Sequence, residues 1–516
     1  MALSSITPSA CAPATFLTPT LFGAEFLSLE VVQVTNYSSE VVEGSTFGSP
    51  PVDLVNANFC NVTVSYTHPG QNDIIHVETW LPTDTWNGKF NAVGGGGFNA
   101  GRYPMTYSFM AGALGEGYAT VITDAGLGFA SEVNSLLWLL ASPGNLNLYS
   151  LQNLASASLI DEALIAKTFI RNYYGQDPSR PYWVGCSQGG QQGLMLAQRY
   201  PDVYDVIIAA APGINWAGVM IGLFWPTIYM EETNQHPHLC EVSQLTALDG
   251  IEDGIIGDPA ACRRVFDPFA HVGTEFECAS IGENTTTTRN ISEAAAAVAD
   301  CSGDGQCSSF NAALVQIVIR GFYEKDPASN TTSVSFGELK RIYHRLSQEL
   351  ASSMGTNDPD LSEFRDAGGK MITFQGLVSS KPPAPSPNDL LMLERRMLTP
   401  PSKADPTIPA NLTLNYYRDV LESQPNAHDF YCLFPIPGMG HCGSQLGEPA
   451  AQPESLFAQL RLWVENGTAP ESTSYVVKLL DNSTQEQLSC PFPAKAVFNP
   501  SATDGSSGWS CASWRK

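Results

Sequence analysis

The sequence predicts an α/β fold, a mostly parallel sheet with helices on both faces that is interrupted by a large inserted block. Three observations carry this reading. Short apolar runs alternate with helix-period patterns through the first 215 residues. An irregular block at 217–367 holds five cysteines, three N-x-S/T sequons, a TTTT run and little strand alternation. The strand-and-helix pattern then returns at Gly369-Lys370-Met371-Ile372-Thr373-Phe374. Strands separated by helices pair in parallel, and covering both faces makes each strand read as a continuous apolar run. The expected division is a first core part at 1–216, an inserted lid domain at 217–367 and a second core part at 368–516.

Taken in order, Phe90-Asn91-Ala92-Val93 is a strand that runs into Gly94-Gly95-Gly96-Gly97, a loop whose backbone can approach a ligand closely. YATVIT at 118–123 is a second strand, ending at Asp124-Ala125-Gly126. Leu159, Ala163, Ala166, Ile170 and Tyr173 recur at helical spacing, with Gly175 as C-cap. Tyr182-Trp183-Val184 leads into Gly185-Cys186-Ser187-Gln188-Gly189, and a helix follows through Leu194, Met195 and Leu196. DVIIAAA at 205–211 is a buried strand stopped by Pro212, and FYCLF at 430–434 reads as another.

Bulk properties exclude several functions. A net charge of -25 and a pI near 4.6 disfavour nucleic acid and anionic membranes as partners. No run of 18 or more apolar residues exists, so no membrane span is expected. Twelve cysteines without a paired C-x-x-C, beside eight histidines, fit disulfides better than metal ligation. Eight sequons, at Asn36, Asn61, Asn284, Asn290, Asn330, Asn411, Asn466 and Asn482, point the same way, and an extracellular protein is expected. The opening MALSSITPSACAPATF has no charged n-region and no continuous apolar h-region, so either the signal peptide is missing from this chain or its start is misassigned.

The chemistry centres on Gly185-Cys186-Ser187-Gln188-Gly189. Strand, G-x-S-x-G turn and helix are the context of a nucleophile elbow, in which the glycines leave room for a sharp turn. The helix start adds positive partial charge and the Gln188 N–H for an oxyanion. A serine needs a base, and the base an orienting carboxylate; in this architecture they follow in the order Ser, Asp, His. Pro437-Gly438-Met439-Gly440-His441-Cys442-Gly443 offers the histidine in a glycine-rich loop. Ser187 follows Cys186 and His441 precedes Cys442, so a Cys186–Cys442 disulfide, with Cα atoms about 5.5–6 Å apart, would bring Ser187 and His441 together. Two unrelated structural cysteines are the alternative.

These residues resemble the tannase/feruloyl esterase family of serine esterases, whose members tie nucleophile and base by such a disulfide. The likeness extends through FCNVTVSYTHPGQNDIIHVETWLP, WNGKFNAVGGGGFNAG, GYATVITDAG, GCSQGGQQGLMLAQRYPDVYD, AAAPGINW, LDGIEDGIIGDP and DFYCLFPIPGMGHC. The resemblance implies an α/β-hydrolase core, a lid carrying Ca2+, and hydrolysis of small aromatic esters, feruloyl esters or tannins. It implies Cys11–Cys60 and Cys490–Cys511 pairs, and an oxyanion hole shared by Gln188 and the loop N–H of Gly95 or Gly96. It also implies calcium ligation by the Asp249 and Asp253 side chains and the Ile251 and Ile255 carbonyls, a set of oxygens suited to that ion. Thr246 and Leu245 stand where the family pattern has aspartate and cysteine, which weakens the calcium assignment. Cys432 stands where the family tends to have arginine, and it could compete for Cys186. The partners of Cys240, Cys262, Cys278, Cys301, Cys307 and Cys432 stay open.

The triad acid falls at a break. Where the pattern expects an aspartate just after Gln375-Gly376-Leu377, 26 residues at 378–403 intervene, VSSKPPAPSPNDLLMLERRMLTPPSK, before Ala404-Asp405-Pro406. A structureless loop that long is uncommon in a compact core. Its first and last codons permit the GT and AG of an intron, so a retained intron is expected over a genuine loop. Joining Leu377 to Ala404 restores strand, turn aspartate and the helix around Tyr416 and Tyr417. Asp405 is therefore assigned as the carboxylate for His441, with Asp389 as runner-up. A catalytically silent family member that binds phenolic or carbohydrate ligands is the alternative function, and a peptidase is a distant third.

Overall fold

Residues apolar on both faces must lie in the middle of a sheet, and the strands Phe90–Val93, Ala119–Thr123, Pro181–Cys186 and Val206–Ala210 are buried along their whole length. A computed structural model describes residues 8–41, 52–129, 135–235, 267–279, 286–298, 317–329, 331, 334–377, 405, 407–443, 451, 453, 455–478, 484–498 and 508–512. The acidic loop at 249–255 and the segment 378–403 with Asp389 lie outside the described residues.

Nine strands form one sheet. In chain order they are β1 (Glu25–Val41), β2 (Val52–Thr67), β3 (Ile75–Pro82), β4 (Phe90–Val93), β5 (Ala119–Thr123), β6 (Pro181–Cys186), β7 (Val206–Ala210), β8 (Lys370–Leu377) and β9 (Tyr431–Pro437). Their spatial order is β1-β2-β3-β5-β4-β6-β7-β8-β9. The first three and the β3–β5 junction are antiparallel; every pairing from β5 to β9 is parallel. The expected α/β-hydrolase core is present, and its antiparallel flank is an addition to the sequence reading. β1 lies at the sheet edge, largely exposed, and its register with β2 shifts around Tyr37, where Asn36 and Asn56 take positive φ.

Helices cover both faces. On one, α1 (Pro104–Gly115) and a late helix, Leu456–Asn466, pack over Val93, Ile122, Val184, Ile208, Phe374 and Phe434. On the other, α2 (Ala157–Tyr174) buries Leu159, Ala163, Ala166, Phe169 and Ile170, and ends at Gly175 with φ 74, as the spacing predicted. Helix α3 (Gln188–Arg199) follows the serine turn. No strand of the large sheet comes from 217–367 among the described residues. Helices Trp216–Thr233 and Phe336–Glu349 instead build a third apolar cluster, with Trp216, Phe322 and Leu346 packed around Phe98 and Ala100 from the end of the glycine loop. No described helix is long and apolar enough to cross a membrane.

One core residue breaks the pattern. Glu162 on α2 is 0 % exposed, and neither carboxylate oxygen has a hydrogen-bond partner among the described residues. An unpartnered ion is costly there, so burial pushes its pKa well above the ordinary carboxylate range. A carboxyl whose folded pKa is raised contributes its full stability below the unfolded value of about 4.3 and loses it as pH rises toward the folded value. Glu162→Gln, uncharged at every pH, should therefore melt close to wild type at pH 4 and at a higher temperature at pH 7. Parallel Tm-against-pH curves for the two proteins, measured by calorimetry, would refute this.

Candidate active site

Ser187 stands alone between the last residue of β6 and the first of α3, with φ 62 and ψ -117. This backbone conformation costs about 1–3 kcal/mol for a residue with a Cβ, so the surroundings must hold it. They do so by backbone contact. A Cβ on Gly185 would lie 2.4 Å from the Gly189 carbonyl carbon and oxygen, and one on Gly189 would lie 2.8 Å from the Gly95 oxygen. The Ser187 N–H donates to the Ala210 carbonyl at 3.0 Å, and its own carbonyl accepts from Gln191 and Gly213. Ser187 is half-buried at the carboxyl end of the parallel strands, where α3 directs its positive end.

His441 lies four residues beyond β9, in a loop opened by Gly438 at φ 77. Its Nδ1 stands 2.9 Å from Asp405 Oδ1 and 3.0 Å from Oδ2. The Asp405 side chain is fully buried. Its Oδ1 accepts the N–H groups of Thr407 (3.0 Å) and Ile408 (2.8 Å), and its Oδ2 accepts Gln375 Nε2 at 2.9 Å. A side chain at 376 would strike the Met439 carbonyl at 2.2 Å and crowd Asp405, so only glycine lets the acid and the histidine loop meet over β8.

The Cys186–Cys442 disulfide closes a span of 256 residues with Cα atoms 5.8 Å apart. Both sulfurs and a ring nitrogen of His441 lie within 4.8 Å of one another. These are the sole metal-ligand-type group of three among the described residues, and as a disulfide the sulfurs are no thiolate ligands. Cys11–Cys60 and Cys490–Cys511 are also bonded. Cys432 does not compete for Cys186: it is buried on β9 with its Sγ 3.8 Å from the His428 carbonyl.

The N–H groups of the glycine loop have partners within the protein. The Gly95 N–H donates to Gln192 Oε1 at 2.9 Å and the Gly96 N–H to the Asn99 carbonyl at 3.2 Å, so neither is free for an oxyanion in this conformation. The physical reason is that a buried N–H must be satisfied, and α3 offers an acceptor. Gln192 is 0 % exposed, and its Nε2 donates to the Ala100 and Leu154 carbonyls. With the Gly189 N–H to Gly95 carbonyl bond at 2.9 Å, it fastens the loop to the elbow. Gln188 bonds Gln191, which donates to the Met354 carbonyl. Glutamines at 188, 191 and 192, one helical turn apart on a buried face, were the signal for this network. Tyr103 fills the space above Gly96, its hydroxyl pKa pushed up to about 12 by burial.

A parallel sheet with a strained serine elbow and a His–Asp pair over the strand ends defines an α/β-hydrolase. The chain belongs to the tannase and feruloyl esterase family: the family model of that description matches residues 60–307 and 394–512. A probable feruloyl esterase from Arthroderma benhamiae is 31% identical over 88% of this chain and 84% of its own length. A tannase from Aspergillus oryzae is 23% identical over 96% and 91%. The solved tannin acyl hydrolase from Aspergillus niger shares the fold, with TM-score 0.77 at 24% identity over 99% and 96% of the two chains. The protein is thus a carboxylic ester hydrolase.

Proposed function

We propose that this protein hydrolyses esters of aromatic carboxylic acids, hydroxycinnamic or gallic, with Ser187 as nucleophile, His441 as base and Asp405 as its orienting acid. The observation that carries this reading is the His441–Asp405 pair, tied through Cys442 to the residue beside Ser187. The tannases and feruloyl esterases among its relatives support the substrate class.

The Ser187 oxygen attacks the ester carbonyl while His441 Nε2 takes its proton. Asp405 holds the Nδ1–H and stabilises the imidazolium. The carbonyl oxygen becomes an oxyanion facing the Gln188 N–H at the start of α3. Collapse expels the alcohol, which receives the proton from His441. Water then attacks the acyl-enzyme by the same path, releasing the aromatic acid and restoring the serine. Extracellular location belongs to the same proposal, supported by the disulfides and by exposed sequon asparagines at 36, 290, 411 and 466. Asn61 argues differently: its Nδ2 donates to buried Glu78, which a glycan would disrupt.

Three tests follow. On a panel of methyl ferulate, caffeate, p-coumarate and gallate, Ser187→Ala should lose about 10³-fold or more in kcat and Asp405→Ala about 10³–10⁴-fold. Full activity in Ser187→Ala would sink the mechanism, and ligand binding without turnover by wild type would make the protein a silent binder. Cys186→Ala/Cys442→Ala should lower kcat at least about tenfold at temperatures where it remains folded, because small misplacement of reacting groups is expensive in rate; wild-type turnover with an earlier melt would leave the bond a staple only. For calcium, the donors Asp249, Asp253 and the Ile251 and Ile255 carbonyls are all hard oxygens and suit the ion in kind. Chelation should then lower Tm, since only the folded loop binds, and a metal-free protein by elemental analysis with an unmoved melt would remove calcium.

A further inference from the structure

We infer that Gln375 is a positioning residue for the esterase reaction, holding the Asp405 carboxylate in the orientation that serves His441; this rests on the triad reading above. Gln375 is the sixth residue of β8, 0 % exposed, on a strand whose neighbours are apolar. A buried amide at such a place has to be matched on both sides. Its Nε2 donates to Asp405 Oδ2 at 2.9 Å and lies 3.3 Å from the Ile408 carbonyl. Its Oε1 accepts the Thr413 hydroxyl at 2.9 Å, and Thr413 is itself fully buried on the helix Ala410–Ser423. The carboxylate accepts only, so the amide nitrogen must face Asp405, and the threonine then satisfies the oxygen. A chain of contacts runs Thr413, Gln375, Asp405, His441.

His441 Nδ1 lies against both carboxylate oxygens, which differ in their other partners. Oδ1 is fixed by two backbone N–H groups from its own turn, whereas Oδ2 has Gln375 as its donor besides the histidine. Without Gln375, Oδ2 keeps only the histidine among these donors, and the carboxylate that orients the imidazole is held from one side alone. The amide dipole also offsets part of the carboxylate charge.

The test uses Gln375→Leu, similar in size and without a donor, quantified by fluorophosphonate titration so that only competent molecules are counted. Loss of a charge-assisted hydrogen bond should lower kcat about ten- to a hundredfold with KM within about twofold. The split between kcat and KM is the readout that a merely structural role would not give, since loss of fold lowers the competent fraction and not the turnover of each titrated molecule. Thr413→Val, which frees the amide without removing it, should show the same changes at smaller size, about threefold in kcat, and serves if Gln375→Leu does not fold. Wild-type kcat in both variants, with Asp405→Ala inactive, would overturn the inference while leaving the triad intact. Full activity of Asp405→Ala would instead overturn the reading on which it rests.

Discussion

The site depends on a contact between backbones. Helix α3 leaves strand β6 so abruptly that Gly189 lies against Gly185 on one side and against the Gly95 carbonyl on the other. No Cβ fits at either position, and the strained dihedrals of Ser187 persist because both flanks are already filled with main chain. The same approach continues along the helix, where a Cβ on Gly190 would meet the Ala210 oxygen at 2.4 Å and one on Gly193 would meet Trp183 and Ile207. Helix, strand and glycine loop therefore move as one body, and the serine is carried on it.

Main chain packed this tightly leaves donors and acceptors that water cannot reach, and amide side chains supply the missing partners. Gln192 closes the Gly95 N–H and two carbonyls, Gln191 reaches the Met354 carbonyl, and Gln375 joins Asp405 to Thr413. An amide suits this work because it both donates and accepts yet never ionises, so the network survives a change of pH. Glu162 is the contrast. It has a similar shape and comparable burial, but no hydrogen-bond partner among the described residues and a charge it can carry only at a cost in stability.

What the sequence disclosed follows from what repeats within it. Strands β4 to β9 were readable because burial on both faces leaves unbroken apolar runs, and α2 because Leu159 to Tyr173 keep a helical period to Gly175. The long edge strand β1 was not, because one open face and an irregular register at Tyr37 dilute its alternation. Asp405 and His441 meet as their motifs implied, although 26 residues separate Leu377 from Ala404. The partners of the Gly95 and Gly96 N–H groups were not readable, since a glycine loop announces close approach without saying whether its N–H groups are already engaged. Gln375 was invisible for the opposite reason: its role exists only through Asp405 and Thr413, 30 and 38 residues away.

The glycine loop also belongs to two neighbourhoods at once. Its first residues are fixed to the elbow through Gly95, while Phe98 and Ala100 at its far end lie in the cluster formed by Trp216, Phe322 and Leu346. The intervening turn is short, and Gly97 at φ 60 is its exposed bend. Phe98 packs against Trp216 and Phe322, whereas the Gly95 N–H is held by Gln192. Within this loop, Gly95 is bound to the helix that carries the serine turn, whereas Phe98 is bound by packing to the third apolar cluster.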